Sequence, residues 1–249
     1  MKMQAHRGVS TECPENTMPA FQRAAEQGYP IIELDPKFTS DDICVVLHDH
    51  TINRTCRTLD GQSFKENISI DALTFAQSQE LDAGLWFSEE FKGTKIPTLK
   101  EVLNFARENG IHIKIDNVFT RFPEHQQQIL FDVVAASGAD AGFTCPDIET
   151  VKKIVARFPK VTIHYDGYVD KATLQQIKAL LQENHLIIWL PFDNDITAWC
   201  KFPKANKEMC DMAHKYGEVG VWILHKEADR QAAEAMGADI IETTGSLKP

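Results

Sequence analysis

Eight short apolar runs recur along this chain, and between most of them lies a stretch with one-sided, helical hydrophobicity. No other feature narrows the fold so far. The runs fall at 2–7, 31–37, 111–117, 141–145, 161–166, 186–192, 219–225 and 238–243, and the spacing predicts helices over 16–28, 98–109, 123–137, 147–158, 170–184, 206–217 and 226–236. Brief apolar runs bounded by polar segments suit strands buried on both faces, which parallel sheets require. Asn16 and Thr98 stand where helix N-caps belong, and Gly28, Gly110, Gly138, Gly217 and Gly237 where C-terminal glycines belong. Eight strands alternating with helices in 249 residues predict an α/β fold, the (β/α)8 or TIM barrel. The competitor is a doubly wound sheet, but no G-x-G-x-x-G follows an early run.

One interval breaks the rhythm. After the second strand comes a further extended apolar run, 43–49 (Ile-Cys-Val-Val-Leu-His-Asp), and the next barrel helix begins only at 98. An ordinary βα loop is far shorter. The expectation is one domain over 1–249 with a small insertion after strand 2, at about 50–95, holding a turn at Asp60-Gly61 and a short helix from Asp71. It leaves the C-terminal end of a barrel strand, where barrel active sites lie, and so predicts a lid or substrate wall.

Charge and cysteine usage limit the partners. The formal net charge is −10, and a surface so acidic repels nucleic acid and anionic lipid. An anionic small substrate then needs a local cluster of cations, or a metal. The six cysteines contain no C-x-x-C pair, so they read as scattered buried thiols. No apolar stretch approaches the roughly 18 residues of a membrane span, and the start Met1-Lys2-Met3-Gln4-Ala5-His6 is no signal sequence. A cytoplasmic protein acting on a small molecule, with no nucleic acid partner and no stable membrane insertion, is the expectation.

Strand alternation gathers the chemistry. It sets Gln4 and His6 on one face of the first strand, with Arg7 at its end, and Glu33 and Asp35 on one face of the second. Two residues apart on a strand is about 6.6–7 Å. Paired carboxylates aimed into a barrel repel each other unless a cation lies between them. Mg2+ or Ca2+ suits all-oxygen ligation; salt bridges at the barrel rim would meet the same demand. His48 ends its own run, in Val-Val-Leu-His, while His50 belongs to the following loop. Histidines at two strand ends beside paired acids supply an acid and a base.

Ala5-His6-Arg7-Gly8, Cys13-Pro14-Glu15-Asn16-Thr17, Ile32-Glu33-Leu34-Asp35 and Val46-Leu47-His48-Asp49 occur in this order. Together they resemble the H-R-G, P-E-N-T, E-L-D and H-D pattern of glycerophosphodiester phosphodiesterases. The similarity runs on through Thr51-Ile52-Asn53-Arg54-Thr55, Leu81-Asp82-Ala83-Gly84-Leu85-Trp86-Phe87 and Ile96-Pro97-Thr98-Leu99, dense over 5–103 and collinear beyond. The resemblance implies a metal-assisted barrel that hydrolyses glycerophosphodiesters to glycerol 3-phosphate and an alcohol. It implies His6 and His48 as general acid and base, Glu33 and Asp35 as metal ligands, and Arg7 as a phosphate contact.

The chain departs from that pattern on its third barrel strand. Where the family reads I-E-I-K, this sequence reads Ile113-Lys114-Ile115-Asp116. Either the duties are exchanged, Asp116 completing the metal site and Lys114 reaching phosphate, or Lys114 pairs with Glu33 or Asp35 and replaces the metal. Trp222-Ile223-Leu224-His225 stands for W-T-V-N, and Glu242-Thr243-Thr244-Gly245 for T-D-x-P. Glu242 reads as a replacement metal ligand or, more readily, as a rim carboxylate facing solvent, and Trp86, Phe87 and Trp222 as walls of the pocket or as plain packing. Rival readings are a phosphate-ester-binding pseudoenzyme and a lysophospholipase D-like enzyme. Retention of both histidines speaks against the first, since binding alone needs neither acid nor base.

Overall fold

The structure, a computed structural model, describes residues 1–249. Its strands are β1 (Lys2–His6), β2 (Ile31–Leu34), β3 (Pro36–Phe38), β4 (Cys44–Val46), β5 (His112–Ile115), β6 (Ala141–Cys145), β7 (Thr162–Tyr165), β8 (Leu186–Pro191), β9 (Glu218–Trp222) and β10 (Ile240–Thr243). Eight of them close a barrel in the order β1-β2-β5-β6-β7-β8-β9-β10, every neighbour parallel. The helices are α1 (Met18–Glu26), α2 (Phe75–Ser78), α3 (Leu99–Asn109), α4 (Glu124–Ser137), α5 (Ile148–Arg157), α6 (Lys171–Leu180), α7 (Lys207–Ala213) and α8 (Glu227–Met236). All but α2 connect consecutive barrel strands, as the alternation of runs predicts.

Helix α3 shows why these segments fold as they do. Leu99, Val102, Leu103 and Ala106 recur at helical spacing and are buried. Thr98 and Glu101 form a reciprocal capping box, and Gly110 ends the helix with φ 64°. Two expected signals prove to have other jobs. Thr17, not Asn16, precedes α1, and Asn16 turns its amide toward Asp35. Gly217 is not a left-handed cap; it lies where a Cβ would come within 2.4 Å of the Leu186 carbonyl oxygen.

Alternation along the strands separates two environments. Met3, Ala5, Ile32, Leu34, Ile113 and Ile115 pack in one core with the inner faces of the helices. The opposite faces fill the barrel. Ile31, Ile187, Trp189 and Ile240 make a small apolar plug, with Gly220 leaving space for the Trp189 indole: a Cβ there would sit 2.4 Å from it. Above and beside the plug the interior is polar. Trp189 Nε1 donates to His164 Nδ1 at 3.0 Å, His164 Nε2 lies 2.9 Å from His112 Nε2, and His112 Nδ1 lies 2.9 Å from Asp140. One proton arrangement satisfies all three contacts with both rings neutral: His164 Nε2–H donates to His112, whose Nδ1–H donates to Asp140. Burial holds His164 well below its ordinary pKa, and neighbouring His112 and Lys114 add to the effect.

The predicted strand 31–37 is divided. β2 stops at Leu34, and the chain leaves the barrel at Asp35-Pro36, where proline lacks the N–H a central ladder needs. β3 and β4 form an antiparallel hairpin instead, with Pro36 opposite Val46 and Phe38 opposite Cys44. The excursion thus starts earlier than 50, and it has its own small core of Val45, Leu47, Ile52, Cys56, Ile70, Ala83 and Ile96. Asp82 is buried and accepts backbone N–H groups from Gly84, Leu85 and Gly93 at 2.6–2.8 Å, so the L-D-A-G-L-W-F stretch is a structural turn. Trp86 and Phe87, expected to wall the pocket, pack edge to face with one another, and Phe87 does the same with Phe91, inside this excursion.

Candidate active site

At the end of β1 the backbone takes a costly turn. Arg7 adopts φ 58° and Gly8 φ 77°. A non-glycine residue in the left-handed region costs on the order of 1–2 kcal/mol. The turn aims the Arg7 N–H at Glu33 Oε2, 3.0 Å away, and the guanidinium across the barrel mouth. That guanidinium lies 2.9 Å from Glu15 and 3.4 Å from Asp35. Asn16, itself left-handed at φ 56°, donates to Asp35 at 2.8 Å. The H-R-G and P-E-N-T motifs therefore act together to orient the two acids of the second strand.

Glu33, Asp35 and Asp116 form a cluster, each offering an oxygen within 4.8 Å of the others. Glu33 is 3% and Asp35 5% exposed. Burial, then repulsion from Asp35 and Glu242, pushes Glu33 well above the ordinary carboxylate range. Burial and Asp35 likewise raise Asp116, despite the Val118 N–H it accepts at 2.8 Å. Such a site favours either protons or a cation.

The two histidines flank the cluster differently. His6 Nε2 stands 3.8 Å from both Glu33 and Glu242. Its pKa lies well below the usual imidazole value, first through burial and then through Arg7 and Lys114. His48 is exposed at the mouth, with Nδ1 2.6 Å from Asp49. Arg54 bonds hold the Asp49 carboxyl at about 2, so it stays ionised and engages His48 through Nδ1.

Lys114 is where the sequence expectation and the structure part. Its ammonium lies 3.2 Å from Glu242 and 4.0 Å from the Trp189 ring centre, and it pairs with neither Glu33 nor Asp35. Glu242, expected at a solvent-facing rim, is 4% exposed and closes this pair. Burial opposes the Lys114 charge, but Glu242 and Glu33 outweigh it and raise its pKa.

Two cavities meet over the cluster. One, of about 680 Å³, holds His6, Arg7, Glu33 and Lys114 and opens past Ile196, Trp199, Phe202 and Trp222. The other, of about 760 Å³, runs beneath the excursion past Lys37, Asp49, His50 and Gln126. Asp35, His48, Asp116, Asn117 and Arg121 belong to both, so they are lobes of one cleft. Trp222 lines the first lobe as expected. Asp166, unmarked by any motif, also faces it, bonded at 2.9 Å to Asn117 and raised by burial to about 7. Lys37 carried no sequence signal because it continued what read as an unbroken barrel strand.

The fold and this mouth define the class: a (β/α)8 barrel carrying an acidic cluster, two imidazoles and a guanidinium at the C-terminal ends of its strands. Residues 6–243 match the model of the Glycerophosphoryl diester phosphodiesterase family, and the chain belongs to that family. A glycerophosphodiester phosphodiesterase of Caldanaerobacter subterraneus is 37% identical over 128 residues, 51% of this chain and 49% of that protein, so the match spans about half of each. The Bacillus subtilis protein YhdW is 27% identical over 96% of this chain and 92% of its own length. Among solved structures, an Oleispira antarctica phosphodiesterase in complex with the product sn-glycerol-3-phosphate has a TM-score of 0.77 at 20% identity, covering 99% of this chain and 94% of that one. At that identity the likeness speaks for the fold.

Proposed function

We propose that this protein hydrolyses glycerophosphodiesters to glycerol 3-phosphate and an alcohol. The observation that carries the reading is the meeting of His6, His48 and Arg7 around two buried carboxylates, Glu33 and Asp35, and a half-buried third, Asp116, in one cleft. The donor set fits a hard divalent cation: all oxygen, clustered, and with no lysine paired to Glu33, Asp35 or Asp116. Those three residues would hold Mg2+ or Ca2+, which when bound offsets negative charge on the phosphoryl oxygens. Arg7, anchored by Glu15, presents N–H donors to the same oxygens.

The histidines handle protons. A free glycerol hydroxyl gives its proton to one imidazole as its oxygen bonds to phosphorus. The other imidazole protonates the alcohol whose P–O bond breaks. Water then opens the cyclic phosphate with the two roles reversed. His48 is oriented by Asp49, while His6 faces Glu33 and Glu242 at 3.8 Å, beyond hydrogen-bond reach, with its ring nitrogen free for a proton. Release of glycerol 3-phosphate from glycerophosphocholine tests the proposal; it should vanish in His6→Ala and on chelation. Turnover indifferent to chelator rejects the metal, and binding without turnover of any diester rejects the hydrolase.

One feature favours a second reading, an acylated diester of the lysophospholipid type. Trp199 is 73%, Ile196 41% and Phe202 39% exposed, all on the rim of the first lobe. Faster cleavage of lysophosphatidylcholine than of glycerophosphocholine would select it.

A further inference from the structure

Lys37 is a buried cation without a counter-ion. It sits on β3, just past the point where the chain leaves the barrel, and is 7% exposed. The other buried lysine, Lys114, has Glu242 at 3.2 Å. No carboxylate lies within ion-pair distance of Lys37, whose ammonium reaches only the Pro36 carbonyl, at 3.5 Å. A desolvated ammonium left in this state is unfavourable unless a further partner arrives.

Its surroundings indicate what that partner is. Lys37 lines the second lobe together with His48 and with Asp35 and Asp116 of the carboxylate cluster. Arg7 lines the first lobe, against the same cluster. The two cations thus approach the acids from the two halves of the cleft. A phosphodiester has two substituents and an oxyanion between them, and it would place one substituent in each lobe with the oxyanion over the cluster.

Resting on the function proposed above, we infer that Lys37 is a substrate-binding residue that donates hydrogen bonds to the phosphoryl oxygens. This is the duty that sequence position suggested for Lys114. Lys114 is instead committed to Glu242 and laid against Trp189. The inverted order on the third barrel strand is then matched by a cation supplied from β3, and the phosphate is gripped from both lobes.

The test is titration of sn-glycerol 3-phosphate into wild type, Lys37→Met and Lys37→Arg, by calorimetry in chelator and again with Mg2+. Steady-state kinetics on glycerophosphocholine and melting curves accompany it. Lys37→Met should weaken binding about tenfold or more in both buffers and raise KM, with a melting temperature no lower than wild type; Lys37→Arg should recover most of the affinity. Unchanged affinity in Lys37→Met, with wild type active, overturns the inference and leaves the function standing. A lowered melting temperature with unchanged affinity also overturns it, because Lys37 would then serve the fold. Wild type that neither binds nor hydrolyses removes the function and the inference together. Lys37→Gln, read by the same titration, decides the matter if Lys37→Met does not fold.

Discussion

Lys114→Met should be among the most destabilising substitutions in the barrel interior, and Glu242→Gln should largely rescue it. The two groups lie 3.2 Å apart at 5% and 4% exposure. At an effective dielectric constant of about 20, charges at that separation attract by roughly 5 kcal/mol, and desolvation offsets much of the gain. The pair is therefore worth little against an uncharged replacement, whereas a lone survivor is expensive. Removing Lys114 strands Glu242 beside Glu33, and breaking such a pair costs about 3–5 kcal/mol. Methionine keeps an apolar stem on the Trp189 indole, so the loss reports charge more than packing. For a chain of this length that is a fall of roughly 6–20 °C in melting temperature. The double variant carries no buried charge at either position and should return to within about 1 kcal/mol of wild type. Urea unfolding of all four proteins in chelator measures the cycle. Additive losses in the double variant, or a single-variant cost below about 1 kcal/mol, would refute the reasoning.

Three other outcomes follow from the site and the interior. His164 is held neutral by burial, with its pKa well below the ordinary 6.5. Below about pH 6.5 the unfolded chain takes up a proton that the native state refuses, so stability is retained above that pH and falls as pH drops below it. Urea midpoints across that range should show a shallower decline in His164→Gln; an equal slope would count against it. His48→Ala should lower kcat about 100-fold or more while leaving the melting temperature nearly unchanged, because the ring is exposed; stopped-time product assays and calorimetry read both. Asp116→Asn should weaken Mg2+ binding, seen as loss of the metal-dependent rise in melting temperature; an unaltered rise removes Asp116 from the ligand set.

The barrel was legible because its signal is local and repeated. Each run such as Ile31-Ile32-Glu33-Leu34 carries its own burial pattern, and helix ends such as Thr98 and Gly110 carry their own caps. The local sense of Asp35-Pro36-Lys37 was misleading, since apolar residues continue on both sides of a point where the chain changes sheets. Asn16 looked like a cap because capping and carboxylate orientation call for the same amide. The Lys114–Glu242 pair was out of reach for another reason. Its members lie 128 positions apart and meet only when the barrel closes, so no window of sequence contains both.

Arg54, far out in the excursion, bonds Glu15 at 2.7 and 2.8 Å, and Glu15 in turn holds Arg7 at 2.9 Å. Arg54 also fastens the Asp49 that steadies His48. Barrel loops are commonly treated as interchangeable parts, grafted to alter what an enzyme accepts. Here one guanidinium rivets the graftable piece to both halves of the machinery beneath it. Exchange of residues 50–95 for another loop would therefore reset the placement of the Arg7 guanidinium and the aim of the His48 imidazole in the same stroke, unless the newcomer brought an arginine of its own.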